Sequence, residues 1–452
     1  MKEKEIICGF SKLSKKQKLE LISKHFEDRE EFIKDLTSFF HNNEKKQKIF
    51  DEFSENTISN FYFPYGIAPN FVIDNKVYHV PLVIEESSVV AAASKSAKFW
   101  SDKGGFHTEI ISTTKVGQVH FIWKGNLNKL RTLMPDLKER LLESTKYITA
   151  SMEKRGGGIL DIELIDKTDD IPDYYQLKAT FETVDAMGAN FINSCLEEFA
   201  SELKDFFMES PYFRDEERSC EVIMSILSNY TPDCVVKCHV ECNIEELGKI
   251  DEELTGEQFA WKFKKAVQIA KVDTYRATTH NKGIFNGIDA VALATGNDFR
   301  AIEACGHTFA AREGKYKSLT DIKVENGKFR YSVTMPLALG TVGGLTSLHP
   351  LAKRSLEILG NPGARELMRI AVAVGLANNF GAIKSLVTKG IQKGHMKMHL
   401  LNILNKFDAS EAEKEIAKKY FEDKKVSYNS VGTYLDKLRN PVDTTKKAYA
   451  EN

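Results

Sequence analysis

Residues 359–387, LGNPGARELMRIAVAVGLANNFGAIKSLV, are so rich in alanine and other small residues that they read as a tightly packed helical region. Its most apolar stretch, IAVAVGLA at 370–377, falls well short of the roughly 18 apolar residues that span a bilayer, and Asn378 and Asn379 follow at once. The segment therefore belongs inside a soluble fold. At 452 residues the chain exceeds the size at which single cores stop growing, so two or more domains are expected. A net charge of -1 provides no broad field for gripping phosphate backbones, which argues against a nucleic-acid partner. The opening MKEKEIICGF lacks the apolar core of a signal peptide, and seven cysteines, an odd number, fit reduced thiols better than a disulfide framework. A cytoplasmic protein is expected.

The first 55 residues carry helical patterning in KKQKLELISKHF and REEFIKDLTSFF, a helical arm. From residue 61, proline, glycine and asparagine separate short β-branched runs, so strands and turns take over. Residues 112–227 alternate strand-like and helix-like segments about one sheet and read as an inserted unit. Asn326-Gly327 signals a hairpin between two strand-like runs. In CVVKCHVEC, residues 234–242, alternation puts Cys234, Cys238 and Cys242 on one face and His239 and Glu241 on the other, the pattern of a half-buried strand rather than of zinc ligands.

Several polar residues invite a chemical reading. Lys282, in HNKG, reads as a lysine in a glycine-punctuated turn, either solvated or aimed at a ligand. Asp298 ends the small-residue run AVALATG and is either a cap or a functional carboxylate. Glu85 and Glu86 stand between apolar PLVI and an apolar helix: a desolvated proton donor, or an acid favoured by a helix N-terminus. His395 and His399 lie at i and i+4, but without the glutamate of HExxH no metal is expected. In DAMGAN, Asp185 can cap a helix while Gly188 permits close approach, a setting that attracts phosphate.

Taken in order, IEESSVVAAAS, DAMGAN, RATTHNKGIFNG, LATGND, TVGG and GHM resemble the hydroxymethylglutaryl-CoA reductases, specifically the soluble class II type, from about Pro64 to Asn402. The resemblance implies catalytic roles for Glu86, Lys282, Asp298 and His395, and substrate contacts from Ser88, Arg276 and Asn286. It also implies a nicotinamide-cofactor loop comprising Asp185, Ala186, Met187, Gly188, Ala189 and Asn190. In that chemistry Lys282 stabilises the substrate oxyanion, Asp298 holds the lysine, Glu86 supplies a proton and His395 protonates the departing thiolate. Where an acid that favours NADH would fall, this chain has Ile148 and Thr149, with Lys146, Lys154 and Arg155 nearby, so NADPH is preferred over NADH.

The implied fold is α+β: a large substrate domain around a central helix (56–111 and 228–389), an inserted ferredoxin-like cofactor domain (112–227), an N-terminal arm (1–55) and a C-terminal helical flap (390–452). The implied partners are hydroxymethylglutaryl-CoA, mevalonate and CoA, in a homo-oligomer built from dimers whose sites form across the interface, with no membrane. The implied activity makes mevalonate for isoprenoid synthesis. Oxidative mevalonate degradation and a non-catalytic CoA-thioester-binding oligomer are the alternatives.

Overall fold

The computed structural model describes residues 6–250, 254–388, 400–422, 424 and 426–440. The arm comprises helices α1 (Lys15–Ser23), α2 (Arg29–Ser38) and α3 (Glu44–Asp51). Each opens on a side chain that accepts from a first-turn amide: Ser14 from Gln17, Asp28 from Glu31 and Asn43 from Lys46. Phe50 and Phe53 fasten the arm to the His349 ring. Strands β1 (Tyr65–Ile73) and β2 (Lys76–Val83) then form a hairpin, followed by α4 (Val89–Ser101) and β3 (His107–Ile110).

An inserted unit follows: β4 (Lys115–Trp123), α5 (Leu127–Ser144), α6 (Lys146–Glu153), β5 (Gly158–Asp166), β6 (Tyr174–Glu182), α7 (Ala189–Glu209) and β7 (Cys220–Leu227). Its antiparallel strands lie in the order β5-β6-β4-β7, the ferredoxin-like arrangement. Phe121, Trp123, Phe181, Phe199 and Phe207 fill a core of its own. Strand β8 (Val235–Asn243) returns the chain to the large domain, with Cys238, Val240 and Cys242 buried and His239 stacked on His107 at the outer face.

Helices α8 (Gly256–Val272), α9 (Thr274–Ala294) and α10 (Phe299–Ala310) precede β9 (Thr320–Glu325) and β10 (Lys328–Pro336). The second four-stranded sheet runs β3-β8-β10-β9, and its hairpin turns through Asn326 and Gly327, both at positive φ (52° and 73°). Helices α11 (Leu345–Leu348), α12 (Pro350–Ile358) and α13 (Ala364–Val387) complete the large domain. Helices α14 (400–406), α15 (Glu411–Tyr420) and α16 (Tyr428–Arg439) pack on Leu404, Val431 and Leu435.

Among the described residues α13 is the one helix long and apolar enough to cross a membrane, yet 67% of its apolar window is buried in the protein. Its partner is α9, and here the sequence expectation needs correcting. Lys282 lies in no turn, because α9 runs unbroken from Thr274 to Ala294. Glycines that ordinarily weaken a helix are placed instead where two backbones meet. A β-carbon on Gly287 would lie 2.6 Å from the Val374 carbonyl oxygen, and one on Gly375 would lie 2.8 Å from Ile288.

Replacing Gly287 by alanine is expected to destabilise the protein by about 1–3 kcal/mol through overpacking, despite alanine's better helix propensity. Urea denaturation midpoints check this; an unchanged midpoint contradicts the close crossing. His280, buried on α9, gives a second expectation. Burial, then the charges of Arg276 and Lys271, push its pKa down to about 3. The unfolded chain binds this proton below about pH 6.5 and the folded chain does not. Stability attributable to His280 is therefore whole above pH 6.5 and lost toward pH 3, at up to about 1.4 kcal/mol per pH unit. Denaturation of His280→Asn against the parent at pH 7, 6 and 5 should show a flatter acid limb in the variant.

Candidate active site

Glu86 leaves the end of β2 and Lys282 stands on the outward side of α9, 196 residues away in sequence, yet Lys282 Nζ donates to Glu86 Oε2 at 2.5 Å. The pair is open to solvent, with the lysine side chain 57% and the glutamate 37% exposed. One residue past Ser87, Ser88 sits at φ 82° at the head of α4, and its hydroxyl caps nothing. A non-glycine residue held in the left-handed region is strained, and such strain clusters at functional sites.

Asn286 lies one helical turn beyond Lys282 on the same side of α9 and is half-buried. Arg276, near the start of α9, is half-buried with no ion pair among the described residues, and burial lowers its pKa. An unpaired guanidinium in that setting is a ready fork for a ligand carboxylate. Ser88, Glu86, Lys282 and Asn286 thus belong to one α4–α9 region, with Arg276 about two turns earlier on α9.

Asp298 does not join them within one chain. It caps α10, accepting from the amides of Arg300 and Ala301, and Arg300 grips both of its oxygens at 3.0 and 3.1 Å. Burial pushes the Asp298 carboxyl up, but the hydrogen bonds and charge of Arg300 and the amide of Ala301 outweigh it and leave the pKa lowered. The neighbouring Asn297 amide bonds to the Ala292 carbonyl, roughly ten residues, or about 15 Å of helix, beyond Lys282. The expectation that Asp298 holds Lys282 is therefore not met in a single chain; Glu86 takes that place. His395 lies outside the described residues.

The loop Asp185–Asn190 is built from several sides. Asp185 does cap a helix, but α13 rather than the α7 that follows it: its carboxylate accepts from the Ala364 amide at 2.7 Å. The Asp185 carbonyl accepts from Thr341 at 2.8 Å, and Ala186 bridges Val342, so DAMGAN lies along TVGG. A β-carbon on Gly340 would collide with the Met187 amide. Asn297 closes the circuit by accepting from the Gly340 amide at 2.8 Å. Gly188, at φ 92°, starts the 21-residue α7, whose first turn carries no acid.

Sequence reasoning missed three participants. Arg300 would have been visible as an arginine two residues after a capping aspartate. Asn297 had a weaker signal, an asparagine beside a glycine turn. The third is a half-buried acid pair: Asp289 on α9 lies beside Glu303 on α10, and burial, then the charge and hydrogen bond of Glu303, push the Asp289 carboxyl well above the usual carboxylate range. Only the fold reveals that these two carboxyls are neighbours.

A family model described as hydroxymethylglutaryl-coenzyme A reductase matches residues 14–400. The 3-hydroxy-3-methylglutaryl-coenzyme A reductase of Archaeoglobus fulgidus is 36% identical over 400 residues, 88% of this chain and 86% of that protein. A probable enzyme of the same name from Borreliella burgdorferi is 31% identical, covering 91% and 92%. Among solved structures, the class II enzyme of Streptococcus pneumoniae bound to NADPH in open conformations superposes with a TM-score of 0.68 at 35% identity, over 84% of this chain and 99% of that one. Another structure of the Streptococcus pneumoniae enzyme gives 0.69 over 95% and 99%.

Replacing Ser88 by glycine is expected to raise stability by about 0.5–1 kcal/mol, because relief of the left-handed strain exceeds glycine's extra unfolded entropy. A lowered thermal midpoint contradicts the strained geometry.

Proposed function

The chain belongs to the hydroxymethylglutaryl-coenzyme A reductase family, and on that premise we propose that Glu86 and Lys282 form the centre at which it reduces hydroxymethylglutaryl-CoA to mevalonate and CoA. It is an NAD(P)H-dependent oxidoreductase of the class II fold. The observation that carries the assignment is the Glu86–Lys282 contact, which joins two distant motifs through an exposed ion pair that contributes little to stability.

Two equivalents of the reduced nicotinamide cofactor, bound in turn, would each supply one hydride. Each delivery puts negative charge on the former carbonyl oxygen, and the Lys282 ammonium is the group placed to meet it. Glu86, touching that ammonium, orients it and, once it carries a proton, supplies the one that completes the alcohol. Arg276 pairs with the free carboxylate of the substrate, and Ser88 and Asn286 flank it. His395 protonates the leaving thiolate. The loop Asp185–Asn190 fits a dinucleotide, since amides at the start of an acid-free α7 turn attract phosphate. With Ile148 and Thr149 in place of a carboxylate, a 2'-phosphate is tolerated and NADPH favoured.

Asp298 reaches a lysine only from a second copy of the chain. Val342, Leu345, Leu348 and Leu351, all 45% exposed or more, form an apolar border beside it, because Gly296 packs on the Leu345–Thr346 backbone. A dimer that covers this border brings the partner's Asp298 toward Lys282 and completes two sites together. The free cysteines support a reducing compartment, the cytoplasm.

Lys282→Ala and Asp298→Ala are each expected to fold and to lose about 100-fold or more in turnover. When the two variants are unfolded and refolded together, about a quarter of parental activity should return, because half the dimers are mixed and each mixed dimer holds one intact site. NADPH absorbance reads the result, and a mixture as inactive as its components rules out the shared site.

A further inference from the structure

Lys115, the first residue of β4, is only 5% exposed, and among the described residues it forms no ion pair. Its ammonium donates instead to the Thr183 hydroxyl and, at 2.9 Å, to the Ala186 carbonyl. The Thr183 hydroxyl donates to the same carbonyl at 2.7 Å. Two donors thus converge on one backbone oxygen, that of the second residue of the Asp185–Asn190 loop.

What they hold is a strained conformation. Val184 has φ 52°, and a β-branched side chain there is a genuine outlier. Such a residue persists only where its surroundings over-determine it. Here Glu182 accepts from the Val184 amide at 2.8 Å and also from the Thr113 hydroxyl, while Asp185 caps α13. The left-handed step at Val184 lets the chain turn so that Asp185 faces α13 and the Ala186 carbonyl turns back to Lys115. The remaining space is tight, since a β-carbon on Gly188 would lie 2.5 Å from the Thr183 methyl.

Burial pulls the Lys115 pKa down, and the Cys234 thiol and the Glu182 carboxylate pull it partly back. For packing alone, an apolar side chain of similar volume serves as well as a desolvated ammonium, and often better. What lysine adds is donors at the end of a long stem, aimed at a loop carbonyl that only one remaining donor would otherwise satisfy. Removal of those donors leaves the sheet and α7 intact while releasing the loop between them.

We propose that Lys115 is a positioning residue for the dinucleotide: by holding the Ala186 carbonyl it fixes the Asp185–Asn190 loop in its binding form. The inference rests on the reading of that loop as the cofactor site, and one experiment separates the two. Full-length Lys115→Met, Lys115→Arg and Asn190→Asp are titrated with NADPH by nucleotide fluorescence, alongside the KM for hydroxymethylglutaryl-CoA and the thermal midpoint. Lys115→Met is expected to weaken NADPH binding about tenfold, as the loss of one charged hydrogen bond to a part-buried carbonyl implies, with the acyl-CoA KM within about twofold and the midpoint little changed. Lys115→Arg, which keeps a donor, should recover part of the loss and guards against a Met variant that fails to fold. Unchanged NADPH affinity in Lys115→Met, or equal weakening for both ligands, overturns the proposal. Asn190→Asp places a carboxylate in the loop itself: if it weakens NADPH while Lys115→Met does not, only the Lys115 role falls. If Asn190→Asp has no effect on NADPH, the loop reading fails and the proposal with it.

Discussion

The close crossing of α9 and α13 governs where the proposed substrate-binding groups on α9 point. Glycine at the contact lets the backbones approach, but that alone would leave α9 free to turn about its axis. Hydrogen bonds stop the rotation. His280 bonds Thr320 through its ring and accepts from the Asn379 amide through its carbonyl at 2.6 Å, while Tyr331 holds the other end of the same Asn379 side chain. Asn281 donates to the Lys317 carbonyl and accepts from the Leu319 amide. With residues 280, 281, 284, 285 and 288 committed inward, Lys282 and Asn286 have only the outer side left to them. Buried polar groups are costly when broken one at a time, so the network fixes the helix to a single facing.

The same economy joins the two domains. The loop after β6 belongs to the inserted unit, yet its polar contacts lie largely in the large domain: Asp185 on the first turn of α13 and on Thr341, Ala186 on Val342. Asn297, at the far end of α9, supports Gly340 from behind. The proposed cofactor loop is therefore registered against both central helices by the side chains of Asp185 and Asn297, each accepting from a backbone amide. A shift of α13 along its axis would be felt at Asp185 before it was felt at the insert's own core, which is filled by its own aromatic residues.

Much of this was legible in the sequence because it follows from local rules. Alternation identified β8, Asn-Gly identified the β9–β10 turn, and the ordered motifs identified the family. What was not legible depends on tertiary contact. HNKG reads as a turn because glycine and asparagine usually break helices, and only the presence of Val374 and Asn379 opposite makes a glycine-bearing helix the better solution. Asp185 was recognisable as a capping residue but not which helix it caps, since α13 begins 179 residues later. Lys115 had no signal at all. A lysine at the start of a strand is normally solvated, and its burial follows from tertiary contact with Thr183 and the Ala186 carbonyl, on the far side of the insert in sequence.

A continuous helix is also a ruler. Because α9 is unbroken as far as Ala294 and cannot rotate, most of the separation of Lys282 from Asp298 is set by its rise per residue, and only the short turn at 295–297 adds to it. On the proposed reading, a lysine within α9 and an aspartate beyond its end serve one reaction centre by pairing across copies, and a two-fold axis that satisfies one such pair satisfies the other. In the single chain the Asp298 carboxylate is satisfied by Arg300 and the α10 amides, and Lys282 by Glu86. Each charge is thus soluble before assembly. Because Arg300 is mostly exposed, its hold on Asp298 is a surface pairing of small energy, which a desolvated lysine at an interface can displace.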